Sequence, residues 1–414
     1  MTIRFDGFAV VAERGEPVAA ALLGSGRVVL ARSPKFHRPR GPSCFRAACD
    51  GCLARVDGEP NVMTCRLPAS EGLCIETQNV FGSRETDLLR ATDWFFPKGM
   101  NPHELFAGVP GTQRAMQAFA RRMAGLGKLP RPVVLARPRE TPRRRIDALV
   151  VGTGPAGMAA TLELLRRGRR VEAIDDDLAW GGGTQSLLGA DARPWAALRN
   201  AFASAIAAKR VAVRLRTVAA GVYGDDVLVE SEHGVEVIAV RTLVLAPGAH
   251  DGGLAFEGND VPGVMSARAA GRALAHGVSL GKRVVVAIAD GGGPFGEAYA
   301  RALPAAVLVR GTPVAVRGSA RVRGATIAVG ASDATRQPED RALSCDALVV
   351  DAPRAPAYEV CAQAGANLTH EPHGFVVFVG KGGRIREGVF AAGEVVGTPL
   401  EPSAIQKEAA ALDV

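Results

Sequence analysis

Aromatic residues are scarce in this chain, at 5% of 414 positions, while glycine occurs 49 times. That balance fits α/β folds, whose strand-to-helix turns need glycine. No apolar run approaches the roughly 18 residues that would suggest a membrane-spanning helix. The opening Met1-Thr-Ile-Arg-Phe-Asp-Gly7 alternates like a strand and has no apolar core of a signal peptide. These two absences lead us to expect a protein without a membrane span, located in the cytoplasm. No zinc-finger, helix-turn-helix or RNA-binding signature is present, which argues against a nucleic-acid partner. Nor is there a Ser-His-Asp set, a metal-hydrolase motif or an evident substrate base, so no catalytic residue is assigned. His250 and His276 sit near turns and read as structural. No short-period repeat is present.

What remains is informative. The length suits two or three domains, and 47% hydrophobic residues fit a folded protein. Net charge is +8. Much of it lies between Arg131 and Arg145, where Arg137, Arg139, Arg143, Arg144 and Arg145 mix with Pro130, Pro132, Pro138 and Pro142. That stretch reads as a solvated linker; docking of an acidic partner is the alternative. Before it, Ile3–Phe5 and Phe8–Val11 read as a hairpin about Asp6-Gly7, and Pro17–Leu23 reads as a short helix stopped by Gly24. A helical period runs from Met116 to Leu126.

Four of the seven cysteines are crowded between positions 44 and 65. In a reducing compartment, crowding of that kind argues for a metal rather than disulfides. Cys44-x4-Cys49-x2-Cys52-x12-Cys65 has the C-x4-C-x2-C…C spacing that holds a plant-type 2Fe–2S cluster. A four-thiolate zinc site usually takes two C-x2-C knuckles, and only one exists here. A redox Cys49–Cys52 disulfide would leave Cys44 and Cys65 unexplained. Ala47 and Asp50 stand where such loops usually carry glycine, and the charge of Asp50 would lower a nearby cluster's potential. Cys74, Cys345 and Cys361 read as small buried hydrophobes.

Ile146–Val151 reads as a buried parallel strand, followed by a glycine turn, a helix over Ala156–Arg167 and a second strand over Arg170–Ile174. The turn, Gly152-Thr-Gly154-Pro155-Ala156-Gly157, allows close approach of a pyrophosphate to a helix N-terminus. Asp175 ends the next strand, where an acid binds ribose hydroxyls. Gly182, Gly183 and Thr184 complete the candidate contacts. Leu243–Ala249, containing Ala246 and Gly248, resembles the "LVLATGA" element of flavoprotein reductases. Gly388–Glu394 resembles their "GVFAAGD" element, which implies that Gly393 and Glu394 face the flavin ribityl chain. Together these point to FAD or a related adenine dinucleotide. A second strand, glycine turn and helix follow: Arg283–Ala289, Gly291-Gly-Gly293-Pro-Phe-Gly296, then Glu297–Leu303. The next strand, Ala306–Val309, leads to Arg310 where NAD sites expect an acid. Arg310 either accepts an NADP phosphate or marks a vestigial site, and the vestigial reading is preferred.

The chain as a whole resembles the α subunits of heteromeric sarcosine, opine and hydroxyproline oxidoreductases and their hydrogen-cyanide-synthase relatives. Arg32–Gly41, Asp93–Gly99, Ala124–Pro130 and Phe256–Met265 carry the resemblance. It implies an α/β and α+β protein, with an N-terminal β-grasp ferredoxin-like domain fused to a flavoprotein fold of two dinucleotide-binding domains. The expected division is 1–105 for the 2Fe–2S domain and 106–145 for a helical segment and linker. The FAD-type domain then takes 146–258 with 375–414, and 259–374 forms an inserted NAD(P)-type domain. The resemblance also implies an FAD-containing, amine-oxidase-like β subunit, with further small subunits in some complexes. Members hold FMN between subunits, and some hold NAD in the first dinucleotide site. Ending at Val414, the chain is expected to lack the folate-using domain of the large sarcosine oxidase α subunit. The expected function is electron transfer between flavin and cluster for an amino-acid or secondary-amine dehydrogenase or oxidase. The alternatives are a self-contained NAD(P)H-dependent reductase with a 2Fe–2S outlet, and a scaffold subunit with a bound dinucleotide.

Overall fold

The computed structural model describes residues 1–34, 36–95, 140–330 and 339–414, with a few isolated positions between 111 and 118. The predicted Met116–Leu126 helix and the segments Phe96–Gly99 and Ala124–Pro130 therefore lie outside the described residues. The chain divides into two compact units.

The first unit comprises Met1–Val134, Leu254–Ala289 and Pro304–Val350. Its N-terminal part is a five-stranded sheet in the order Phe8–Val11, Thr2–Phe5, Cys74–Glu76, Leu53–Val56, Glu59–Met63. Asp6 and Gly7, both with positive φ, close the predicted hairpin. The Thr2–Phe5 strand then pairs parallel with Cys74–Glu76, a non-local contact that no turn signal announces. Ile3, Phe5 and Ile75 are fully buried. Six of the seven residues of the Val18–Gly24 helix are buried too. This is the β-grasp arrangement. The same unit holds a four-stranded sheet, Val264–Ser266, Ala347–Asp351, Val284–Ile288, Val307–Arg310. A three-stranded antiparallel sheet follows from Thr312.

The second unit, Leu135–Gly253, Asp290–Leu303 and Asp351–Val414, is built on an eight-stranded sheet. Its main order is Val211–Arg214, Val171–Ile174, Arg143–Val151, Gly234–Leu245, Asp226–Ser231, Val218–Tyr223. Val389–Ala391 joins in parallel beside Leu243–Leu245. The buried runs Ala148–Val151 and Thr242–Leu245 suit a sheet covered on both faces. One expectation is corrected here. The strand starts at Arg143, not at Ile146, so the arginines 143–145 are not linker. Carboxylates on other strands of the same sheet explain the extension. Arg143 meets Asp226 at 2.9 Å, and Arg144 meets Glu172 at 2.7 Å and Glu236 at 2.8 Å. Both glutamates raise the Arg144 guanidinium pKa, and the pairing offsets what would otherwise be a repulsive run in a sheet.

Candidate functional site

Residues 41–52 form the cysteine loop, and its conformation is forced at several points. Phe45 and Ala47 adopt positive φ, +51° and +57°, at a cost of about 1–2 kcal/mol each for residues with a Cβ. Asp50 does not. The departure from glycine at position 47 is therefore strained and the one at position 50 is not. Gly51 is required for a different reason: a Cβ there would lie 1.9 Å from the Gly41 carbonyl oxygen.

Cys44, Cys52 and Cys65 are buried and Cys49 is half-buried. They lie as two pairs. The Cys44 thiol donates to Cys49 Sγ at 3.4 Å, and Cys52 and Cys65 share a hydrogen bond in the same way. In each pair one thiolate is favoured. Cys49 is brought down to about 5 by the Cys44 thiol and by Ser43, and Cys65 is lowered by Cys52 and a backbone N–H. The Arg46 and Ala48 N–H groups both donate to Cys44 Sγ at 3.3 Å. No three His, Cys, Asp or Glu side chains among the described residues converge on a single-ion site. Two thiol pairs in a buried loop with N–H···S bonds fit two bridged irons, each needing two thiolates, better than one tetrahedral zinc. Cys345 and Cys361 are buried as expected, but Cys74 is exposed. It lies on the outward face of an alternating strand, Cys74–Glu76.

The loop is also held from a distant part of the chain, which sequence reasoning missed. Ser266 N–H donates to Ser43 O at 2.9 Å, and Arg272 Nη1 donates to Phe45 O at 3.4 Å. Arg268 and Arg272, on the Ala267–Ala275 helix, are 3% and 7% exposed. Two arginines buried on an otherwise alanine-rich helix were the available signal.

In the second unit the first glycine turn is tightly assembled. A Cβ on Gly152 would meet Ala246 O at 2.2 Å, and one on Gly157 would meet Gly152 O at 1.8 Å. Gly182 packs against Gly154, and Gly393 against Ala156. Thr184 turns inward, its hydroxyl bonded to Gly181 O, and Gly183 lies beside it in the same short helix. The Pro155–Arg166 helix has no side-chain cap at its N-terminus. Pro155 needs none, and the uncapped N–H groups behind it suit an anion. Asp175 lies where expected but faces inward. Its Oδ2 accepts from Thr153 N at 2.6 Å and Oγ1 at 2.7 Å, and its Oδ1 from Asp177 N at 2.9 Å. Burial and then Asp176 raise its pKa. It shapes the turn, and a ribose here would share it.

Glu394 lies beside Gly248, whose Cβ would fall 4.0 Å from Glu394 Oε2. Arg354, unmarked in the sequence, donates to Glu394 Oε1 at 2.7 Å and to Gly293 O at 2.5 Å. Glu394 and Arg354 border a cavity of about 450 Å³ that also includes Ala249 and Thr398. Glu408, also unforeseen, accepts from Gly393 N at 2.9 Å and Thr398 Oγ1 at 2.6 Å and so fixes the glycine.

The second glycine turn differs in that a carboxylate of the chain bonds its backbone at the start of the helix. Gly291 and Gly293 have positive φ, and the Phe295–Ala302 helix follows. Yet Gly296 N–H donates to Asp351 Oδ2 at 2.5 Å. Asp351 is 4% exposed. A carboxylate of the chain already sits on the N–H that would face a pyrophosphate. Arg310 is an exposed strand end in the first unit.

Residues 1–80 match the 2Fe–2S iron–sulfur cluster binding domain family. The alpha subunit of sarcosine oxidase from Rhizobium meliloti strain 1021 is 31% identical over 298 residues, 65% of this chain and 30% of that protein. An opine oxidase subunit from Agrobacterium tumefaciens strain Ach5 is 32% identical over 161 residues, 35% of this chain and 32% of that one. The chain is thus similar to the alpha subunit of sarcosine oxidase and, over a shorter stretch, to a subunit of opine oxidase. It spans about a third of the length of the curated relatives it matches. Among solved structures, L-proline dehydrogenase from P. horikoshii aligns over 99% of this chain and 71% of its own, with TM-score 0.71 and 21% identity. At that identity the likeness shows the fold alone; with the family match at residues 1–80 it gives a 2Fe–2S-type domain joined to a flavoprotein dehydrogenase fold, as the sequence led us to expect. No helix among the described residues is long and apolar enough to cross a membrane.

Proposed function

We propose that this chain is the electron-transfer subunit of a heteromeric oxidoreductase acting on amino acids or secondary amines. One observation carries the reading: a paired-cysteine loop and an uncapped dinucleotide turn are built into the same chain. Cys44, Cys49, Cys52 and Cys65 would hold the 2Fe–2S cluster. Gly152, Gly154 and Gly157 would admit the pyrophosphate of FAD, with Gly393 and Glu394 beside the ribityl chain; NAD in this site is the competing assignment. A bound flavin would take two electrons together and release them singly. The chain's own contribution is to hold the pyrophosphate at an uncapped helix N-terminus and to shield the thiolates from water. Substrate binding is assigned to a partner of the amine-oxidase type. Asp351 weighs against the self-contained NAD(P)H reductase, because it opposes a phosphate at the second turn.

Anaerobic purification of the chain with the products of its neighbouring genes tests this reading. Expected are two irons and two acid-labile sulfides per chain, a released adenine dinucleotide, and amine-dependent reduction only in the presence of the partner. Zinc without sulfide, or amine turnover by this chain alone, would refute it.

A further inference from the structure

The second unit carries a basic groove at the starting ends of its parallel strands, the edge opposite the glycine turns. Its volume is about 1260 Å³, and among the described residues its lining holds seven arginines against four acids, Asp147, Asp225, Asp226 and Glu387. Several of the charges are matched. Arg143 pairs with Asp226 at 2.9 Å, Arg169 with Asp147 at 3.5 Å, and Arg386 with Asp225 at 3.7 Å. Arg167 pairs with Glu163, which lies outside the groove. Arg145, Arg170 and Arg241 are exposed, and among the described residues none of them has an ion-pair partner.

These three arginines are not scattered. Arg145 lies on the Arg143–Val151 strand and pairs in register with Ala239 of the strand that carries Arg241. Arg170 directly precedes the strand on the other side, where Val171 pairs with Ala148. Three adjacent strands, each about 4.8 Å from the next, therefore carry these guanidiniums within two residues of one register level. Guanidinium forks match carboxylates in pairs of parallel hydrogen bonds. No aromatic residue among the described ones lines the groove, so they offer a nucleobase nothing to stack on. An extended acidic peptide needs no such platform.

We infer that this groove docks an acidic segment of a partner protein. The inference goes beyond the electron-transfer reading and stands whichever cofactor the chain carries.

Binding of a fluorescein-labelled deca-glutamate peptide to the full chain, followed by fluorescence anisotropy, tests it. The combined variant Arg145→Ala/Arg170→Ala/Arg241→Ala should weaken binding about tenfold or more. A control with the same charge loss at exposed positions of the same unit away from the groove, Arg193→Ala/Lys381→Ala/Lys407→Ala, should change it less than about twofold. The triple lysine variant at 145, 170 and 241, which keeps the charge without the fork, should bind more tightly than the alanine variant and less tightly than wild type. Equal losses in the two alanine variants would reduce the effect to net charge and overturn the proposal. So would a wild-type chain that binds no peptide at about 50 mM salt, or one that binds inorganic tripolyphosphate but no peptide.

Discussion

Arg272 Nη1 donates to the Phe45 carbonyl at 3.4 Å, across 227 residues of sequence. The cysteine loop is therefore held by a helix, Ala267–Ala275, outside the residues 1–80 that match the 2Fe–2S family. The buried guanidinium also brings positive charge to the residue that follows Cys44.

Replacing that cation should make the cluster harder to reduce. For Arg272→Gln we expect a lower midpoint potential by EPR-monitored titration. The shift should be on the order of tens of mV, since 59 mV corresponds to a tenfold change for one electron. Arg272→Lys should recover part of it. An unchanged midpoint in a variant with full iron content would leave Arg272 a purely structural residue.

Gly154 separates cofactor binding from folding. A Cβ there meets only Gly182 Cα, at 3.8 Å, and its φ is −68°. Gly154→Ala should melt within a few degrees of wild type yet lose the bound dinucleotide, because the methyl group would stand where the pyrophosphate approaches. Gly157→Ala, with its Cβ 1.8 Å from Gly152 O, should instead destabilise the whole unit by about 3 kcal/mol or more. Full cofactor content in purified Gly154→Ala would argue against the site.

Asp351→Asn tests the second turn. The variant keeps an oxygen for Gly296 N–H and removes the charge. We expect NADPH binding to the complex, read by fluorescence quenching, to strengthen up to about tenfold, in keeping with a charge at a partly buried helix N-terminus. No change would mean that the turn is closed by shape rather than by charge.

Glu408 supplies a pH signature. Burial raises its pKa above the usual carboxylate value. The folded state therefore binds this proton more tightly than the unfolded state, and the associated stability is present at low pH and lost as pH rises through the raised value. Thermal melts from pH 4 to pH 7 should show wild type losing ground steadily to Glu408→Gln. A constant difference would show that the two states hold the proton equally.

Much of this protein is fixed by local pattern. The hairpin about Asp6-Gly7, the Gly152–Gly157 turn and the strands around it follow from turn chemistry and periodicity, which act within a few residues. Cysteine spacing likewise named the thiols that came together in pairs. Tertiary structure decided what depends on distant charges and close backbone approach. The arginines at 143–145 read as linker until Asp226, Glu172 and Glu236 are beside them. Ala47, not Asp50, carries the strain of the loop, because position 47 is the one of the two with positive φ. The glycines at 291, 293 and 296 have the spacing of a phosphate site. Asp351, 55 residues further on, occupies the N–H that spacing alone would leave open, and only the fold brings that carboxylate to it.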